Sequence, residues 1–313
     1  MREDLSLKAR RQRDSRLSQF ADRHFPAVAL TPAMLLFVLL LCYPLGYSLF
    51  ISFYRWRLTS PDSFRFIGLQ NYVTLLTSPL SSRFSVWVPF QNTLTYTAAT
   101  VTVEFGVGFA VALLFQRQLA RWGFLRTFVI VPMMISDVVI ALMWRLLWDA
   151  NAGFINYLMS WFGLPPHAWL AESSTAMIAL VLTDVWQNTP FVFLMLTAGL
   201  AALPTDVYEA ASIDGASPRQ SFWHITVPLL MPVIVITLLF RIIFNFRDFT
   251  KIYTLTAGGP GRSTEVLSVN LYQQMFRNFD AGFGSALAWV IVLMTVVIAA
   301  VFVRALWRQT FER

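Results

Sequence analysis

The sequence predicts an all-α, polytopic membrane protein with six transmembrane helices, and three observations predict it. Of its 313 residues, 57% are hydrophobic and only 13% are charged, about half the roughly 25% charge of a soluble domain. Several apolar runs reach the ~20 residues needed to cross a bilayer. Trp144, Trp148, Trp161 and Trp169 flank two of those runs, as an interfacial aromatic belt does.

The elements follow in order. Residues 1–26 form a basic tail, with Arg2, Lys8, Arg10, Arg11, Arg13, Arg16 and Arg23 diluted by Glu3, Asp4, Asp14 and Asp22. Such a tail fixes topology. The formal charge of +7 is not gathered into one patch, which argues against nucleic-acid binding. The first span runs over about 27–50. It is longer than a secretory signal's apolar region, so it is read as retained. Cys42, the single cysteine, excludes an intrachain disulfide and a cysteine metal site. Leu41 before it is too large for a lipoprotein cleavage site.

The remaining spans are expected at about 92–115, 124–148, 175–201, 227–248 and 283–304, which makes 27–304 one membrane domain. With both termini inside, the basic residues of the inner segments are the seven in the tail with Arg117, Arg121, Arg126, Arg219, Arg304, Arg308 and Arg313. The outer segments hold Arg55, Arg57, Arg65, Arg83, Arg247, Lys251, Arg262 and Arg277. The bias favours a cytoplasmic N-terminus and a cytoplasmic C-terminal tail, 305–313.

The segment 202–226 then lies in the cytoplasm and is punctuated as a helix-turn-helix. Thr205 is expected to cap a first helix, "DVYEAASI". Gly215 supplies the left-handed residue that ends it. Ser217 caps a second helix over about 218–226, with Pro218 at its first position and Gln220 completing a capping box. A short helix held that way suits a socket on another protein. A lipid-surface helix would carry more Lys or Arg than Arg219, beside His224, and Asp206, Glu209 and Asp214 would be repelled by anionic lipid.

Enzymatic chemistry finds no support. A P-loop needs a lysine following its glycines, and the two lysines, Lys8 and Lys251, follow Leu7 and Thr250. His24, His167 and His224 are scattered, with no HExxH, CxxC or nucleophile triad. No metal or other cofactor site is expected in this chain.

Glu104, Asp137, Arg145, Asp184 and Arg241 fall inside spans. Each would cost roughly 2.5–3.5 kcal/mol at a bilayer centre, so each should face protein or water. "DVWQNTP" (184–190) is the most polar stretch of the fourth span. Trp186 offers a stacking face, Gln187 and Asn188 offer amides, and Pro190 breaks the hydrogen-bond ladder; sugars are held by that combination. Asn245, Arg247 and Asp248 sit toward the outer end of the fifth span. Asp184, Trp186, Gln187, Asn188, Asn245 and Asp248 are the candidate pathway residues. The competing reading has Arg241, Glu104, Asp137 and Asp184 pairing with one another, and Gln187 and Asn188 bonding between helices.

"EAASIDGASPRQSFWHITVP" (209–228), with Glu209, Ala210, Ala211, Asp214, Gly215, Ala216, Phe222, Ile225 and Pro228 at fixed spacings, resembles the EAA loop of permease subunits from binding-protein-dependent ABC importers. "TPFVFLMLTAGLAALPTDVYEAA", "KIYTLTAGGPGRSTEVLSVNLYQQMF", "FIGLQNY" and "WRLLWDANAGFINYL" are similar to the carbohydrate-uptake branch, and the Gly-Gly-Pro turn to the maltose/trehalose/glycerol-phosphate type of first permease.

The resemblance implies a heterodimer with a second homologous permease. It also implies two cytoplasmic ATPase subunits that bind ATP and Mg and dock on the loop, and an extracytoplasmic solute-binding protein that delivers a disaccharide, oligosaccharide or polyol. It assigns ATPase coupling to Glu209, Ala210, Ala211, Asp214, Gly215, Phe222, Trp223 and Ile225. On spacing alone Phe222 and Ile225 serve packing inside the permease equally well. Glu209 has an alternative as an internal ion pair or cap. The runner-up function is an ion-coupled secondary transporter, which would require paired broken helices in two halves.

Overall fold

The computed structural model describes residue 25 and residues 29–117 and 123–311. Apart from Phe25, the basic tail lies outside the described residues, as does most of the segment 116–123. The chain begins with helix α1 (Ala29–Ser52) and continues into a hairpin of β1 (Tyr54–Arg57) and β2 (Ser60–Phe66). Helices α2 (Gln70–Thr77) and α3 (Trp87–Arg117) follow. Next come α4 (Gly123–Ile130), α5 (Asp137–Leu147), α6 (Phe154–Ser160) and α7 (Ser173–Ala201). The last elements are α8 (Thr205–Ile213), α9 (Pro218–Phe246), α10 (Thr250–Thr256), α11 (Leu267–Tyr272) and α12 (Ala281–Phe311).

Among the described residues, five helices are long and apolar enough to cross a membrane: α1, α3, α7, α9 and α12. The third expected span is different. In place of one helix over 124–148, two helices meet at a bend of 95°. Pro132 sits in a 3-10 turn (Val131–Met134), where it withholds an N–H from the ladder. Ser136 is extended (φ −60°, ψ 140°) and α5 starts afresh at Asp137, whose carboxylate suits a helix N-terminus. Gln187 of α7 stitches the break by donating to the Ile135 carbonyl (3.4 Å) and the Asp137 carboxylate (2.7 Å).

The fourth span, α7, is the centre of the bundle, buried over 56% of its most apolar window, whereas α1 is buried over 6%. Helix α7 packs along α3, and α9 lies against α3, α7 and α12. One apolar cluster joins Phe115, Phe193, Leu196 and Leu230 near the helix-turn-helix. A second joins Tyr96, Trp148, Leu180, Ile252 and Val269 at the opposite end. Burial at both ends of α7 fixes the depth of its polar middle.

Two of the segments outside the expected spans are structured. The hairpin follows an alternation, Tyr54-Arg55-Trp56-Arg57 against Phe64-Arg65-Phe66, that sets aromatic rings on one face and arginines on the other. The stretch after α9 folds back as α10 and α11, burying Lys251, Ile252, Leu255 and Asn270.

Candidate functional site

The polar middle of the bundle is an ion-pair cluster beside a cavity. Arg241 of α9 donates to both oxygens of Glu104 on α3, at 2.7 and 2.8 Å, to Asp184 on α7 at 3.0 Å and to the Asn245 amide oxygen at 2.8 Å. Lys251 of α10 pairs with Asp184 and, at 3.1 Å, with Asp248. Tyr96 donates to Asp248 at 2.8 Å, Asn188 to Asp184 at 2.8 Å, and Asn245 to Thr100. Glu104 and Asp184 have no exposed surface. A charge so placed needs a partner at hydrogen-bond distance, and each carboxylate has one.

A cavity of about 440 Å³ opens beside this cluster, lined by Asp137, Asn188, Arg241, Asn245, Arg247, Asp248 and Lys251, with Phe244 and Phe249 as its aromatic walls. It supplies amide donors and acceptors, three cations and ring faces. That set can hold a hydroxyl-rich solute by directed hydrogen bonds.

The six candidate pathway residues are distributed unevenly. Asn188, Asn245 and Asp248 line the cavity, whereas Asp184 lies behind it as the shared acceptor of Arg241 and Lys251. Gln187 is buried and turned toward the break at Asp137. Trp186 lies elsewhere, in an apolar groove of about 670 Å³ with Trp144, Trp148 and Trp169. The pairing of Arg241 with Glu104 and Asp184 is the structural alternative that the sequence had offered. Asp137 binds Gln187 instead of joining it. Lys251 is the residue that sequence reasoning missed. It is 6% exposed, not an outer-loop cation, and its signal was Asp248 three positions earlier, within reach of an ion pair.

The second element is the helix-turn-helix. Thr205 is not its cap: it is the first helical residue, after an extended Pro204, and its hydroxyl reaches Asp206 at 3.5 Å. Helix α8 ends in a Schellman motif, with Gly215 N–H donating to Ser212 (3.1 Å) and Ala216 N–H to Ala211 (2.9 Å). Gly215 has φ +78°. The next helix starts from a complete capping box: the Ser217 side chain accepts from Gln220 N–H, and the Gln220 side chain accepts from Ser217 N–H at 2.8 Å. That helix is the start of α9 and does not stop at 226; it continues through a π-turn (Phe222–Thr226) into the fifth span.

Phe222 is half-buried and stacks on Phe109 of α3 at 5.9 Å, so it packs within this chain. Ile225 is half-buried, Trp223 is 58% exposed and Ile213 is 87% exposed. Glu209, Ala210 and Asp214 are exposed, Ala211 half-buried, and Glu209 has no ion pair among the described residues.

At the other end Asn156 organises the loop after α5. Its amide nitrogen donates to the carbonyls of Asp149, Ala150 and His167, and its oxygen accepts from Trp169. The N–H groups of Ala152 and Asn151 hold the Asp149 carboxyl below the usual aspartate range.

Residues 104–309 match the model of the family described as binding-protein-dependent transport system inner membrane component. The chain belongs to this family. Among curated members, the trehalose transport permease SugA of Mycobacterium tuberculosis is 36% identical over 287 residues, covering 92% of this chain and 90% of that protein. The trehalose/maltose transport permease MalF of Thermococcus litoralis is 36% identical over 272 residues, covering 86% and 89%. A crystal structure of a bacterial ABC transporter that imports alginate contains a chain of the same fold, with a TM-score of 0.79 at 22% identity over 94% of this chain and 99% of that one.

As an inner membrane component of a binding-protein-dependent transport system, the protein is a multi-pass permease subunit of an importer. That assignment sets aside the ion-coupled alternative, and the buried carboxylates agree: each is held by a cation or a hydrogen bond instead of standing free for proton relay.

Proposed function

We propose that this permease works as one of two related subunits in an ATP-driven importer of a sugar or sugar-like solute, and that its helix-turn-helix receives the stroke of the ATPase. The observation that carries this reading is the continuity of α9. One helix bears the capped segment at its start, and Arg241 lies 23 residues further on, about 35 Å at the usual rise. A push on the exposed Trp223 surface therefore reaches the ion-pair cluster through one continuous helix. Tyr208, bonded to Thr226 at 2.9 Å, ties α8 to the same helix, so Glu209, Ala210, Ala211 and Asp214 move with it.

In this reading both termini and residues 202–226 are cytoplasmic, and the Asn188–Asn245–Asp248 cavity is part of the solute path. ATP and Mg are bound by two partner ATPase subunits, no nucleotide or other cofactor by this chain, and a solute-binding protein delivers from outside. The trehalose and maltose permeases among its relatives and the hydrogen-bonding cavity both favour a di- or oligosaccharide or polyol.

The test is accessibility. With Cys42 replaced, a cysteine at Ser212 should react with a membrane-impermeant maleimide only in inverted vesicles, and bound ATPase should protect it. Labelling from the outside of intact cells would overturn the reading.

A further inference from the structure

The hairpin leaves an imbalance that nothing among the described residues resolves. Arg55 and Arg65 sit directly opposite each other across the strands, and like charges so placed are destabilising. Both are exposed and neither forms an ion pair among the described residues. Arg57, on the same face, reaches Asp280 at 3.6 Å. Residues 53–86 carry four arginines, Arg55, Arg57, Arg65 and Arg83, against Asp62 alone, whereas residues 149–172 carry only Asp149 and Glu172. Both segments lie at the end of the bundle away from the helix-turn-helix, and the first is basic where the second is acidic.

The hairpin is also held in place. A Cβ on Gly282 would fall 2.0 Å from the Tyr54 carbonyl oxygen, so the start of α12 is pressed against β1. Leu58 N–H donates to the Phe279 carbonyl at 2.8 Å, and Asn71 donates to the carbonyls of Ser52 and Tyr54 at 2.8 and 3.0 Å. The strand positions that carry the arginines are therefore fixed relative to the bundle.

The two faces have different neighbours. Tyr54, Trp56, Phe64 and Phe66 stack along one face, with ring centroids 4.5–5.6 Å apart. Tyr54 also meets Phe50 of α1 at 4.7 Å, so this aromatic face extends the lipid-facing surface of the first span. Lipid headgroups are met there. The arginines lie on the reverse face. Arg55 and Arg57 line a cavity of about 390 Å³ with Ser63, Gln70, Thr74 and Asp280. Its walls are protein, and no hydrogen bond engages the Gln70 side chain among the described residues.

We propose that the arginine face of β1 and β2 is the electrostatic docking patch for an acidic surface on the solute-binding protein, with Arg55 and Arg65 as its paired contacts. This rests on the reading that such a protein engages this end of the permease. An acidic side chain entering the cavity meets Arg55 and finds Gln70 as a further donor, and an acidic group over the strand pair offsets the repulsion between Arg55 and Arg65. The negative loop at 149–172 repels the same surface, which fixes the orientation in which the partner settles.

The experiment uses the whole transporter in nanodiscs with its purified solute-binding protein, and reads the protein concentration that half-maximally stimulates ATP hydrolysis. The double variant Arg55→Glu/Arg65→Glu should raise that concentration about tenfold and flatten its dependence on salt, as loss of rim charge does. Arg55→Lys/Arg65→Lys should stay near wild type. Wild-type half-saturation should itself rise steeply between low and high salt, a readout that needs no variant.

An unchanged half-saturation in the Glu pair, or a salt-independent wild type, overturns the docking patch. So does an effect seen in anionic-lipid discs and lost in phosphatidylcholine discs, which would make the arginines lipid contacts. Failure of the wild type to be stimulated at all would instead bring down the reading that a solute-binding protein engages this end, on which the patch depends.

Discussion

Arg241 and Glu104, 137 residues apart in the chain, meet through two parallel hydrogen bonds of 2.7 and 2.8 Å, with side-chain exposures of 4% and 0%. This fork joins α9, which begins in the helix-turn-helix, to α3, which lies along the central helix α7. Asp184 adds α7 to the same guanidinium, and Lys251 adds α10 through Asp184. Four elements are thus held at one point, where a lysine in place of Arg241 lacks the planar fork needed to satisfy both carboxylates.

Removing one partner leaves a buried charge with no counterpart, which costs about 3–5 kcal/mol. Arg241→Met should therefore lower the thermal unfolding midpoint of the purified permease sharply. Adding Glu104→Leu should recover much of the loss, because the orphaned carboxylate goes with it. A double variant no more stable than Arg241→Met would show that Glu104 is not what the arginine neutralises.

The two halves of the site were legible to different degrees. Local chemistry writes the helix-turn-helix: Gly215 must take a positive φ, and Ser217 and Gln220 cap each other three residues apart, so the sequence is enough to read them. The missed cap at Thr205 is also local, since Pro204 already provides the extended residue before the helix. The buried cluster is different. Five intramembrane charges announce that partners exist, but which carboxylate meets Arg241 depends on how α3, α7 and α9 pack. Lys251 was hidden because the segment after α9 is too short and polar to read as a span, though it folds back into the core. The hairpin was written in the alternation of aromatic residues and arginines from Tyr54 to Phe66, and the break in the third span in Pro132 and Ser136. Both signals are weaker than the apolar background around them.

Gly215 tests the proposed coupling role of the helix-turn-helix. A Cβ there meets no atom within 4 Å, but φ is +78°, so the cost of substitution is in the backbone and amounts to roughly 1–2 kcal/mol. Gly215→Val should reform the turn and uncouple ATP hydrolysis from uptake in proteoliposomes. Gly215→Asn, which tolerates the left-handed region, should retain most transport. Equal transport by the valine variant and wild type would remove the turn from the coupling path.

Arg262 is the brace of the Gly-Gly-Pro turn. Its guanidinium donates to the carbonyls of Leu80, Ser82 and Ser85 at 3.2, 2.9 and 3.5 Å and pairs with Glu265. Glu265 is 4% exposed and keeps only the Asn270 amide, at 2.6 Å, when the arginine is lost. Arg262→Ala should destabilise the protein by roughly 2 kcal/mol and speed amide hydrogen exchange over residues 79–86. Exchange unchanged in that loop would mean that the carbonyl contacts do not hold it.

Asn188 and Gln187 are adjacent amides with opposite expected behaviour. Asn188 lines the polar cavity while bonding Asp184, so Asn188→Ala takes a hydrogen-bonding group from the proposed solute path. Uptake should then need a higher substrate concentration for half-saturation, by about tenfold for one lost hydrogen bond, with little change in thermal stability. Gln187 is 3% exposed, and its amide nitrogen holds Asp137 at the bend. Its oxygen has no hydrogen-bond partner among the described residues. Gln187→Ala should lower stability and leave the half-saturation concentration where it was. If the two variants exchange these signatures, the path runs along the bend between α4 and α5 instead of beside Arg241.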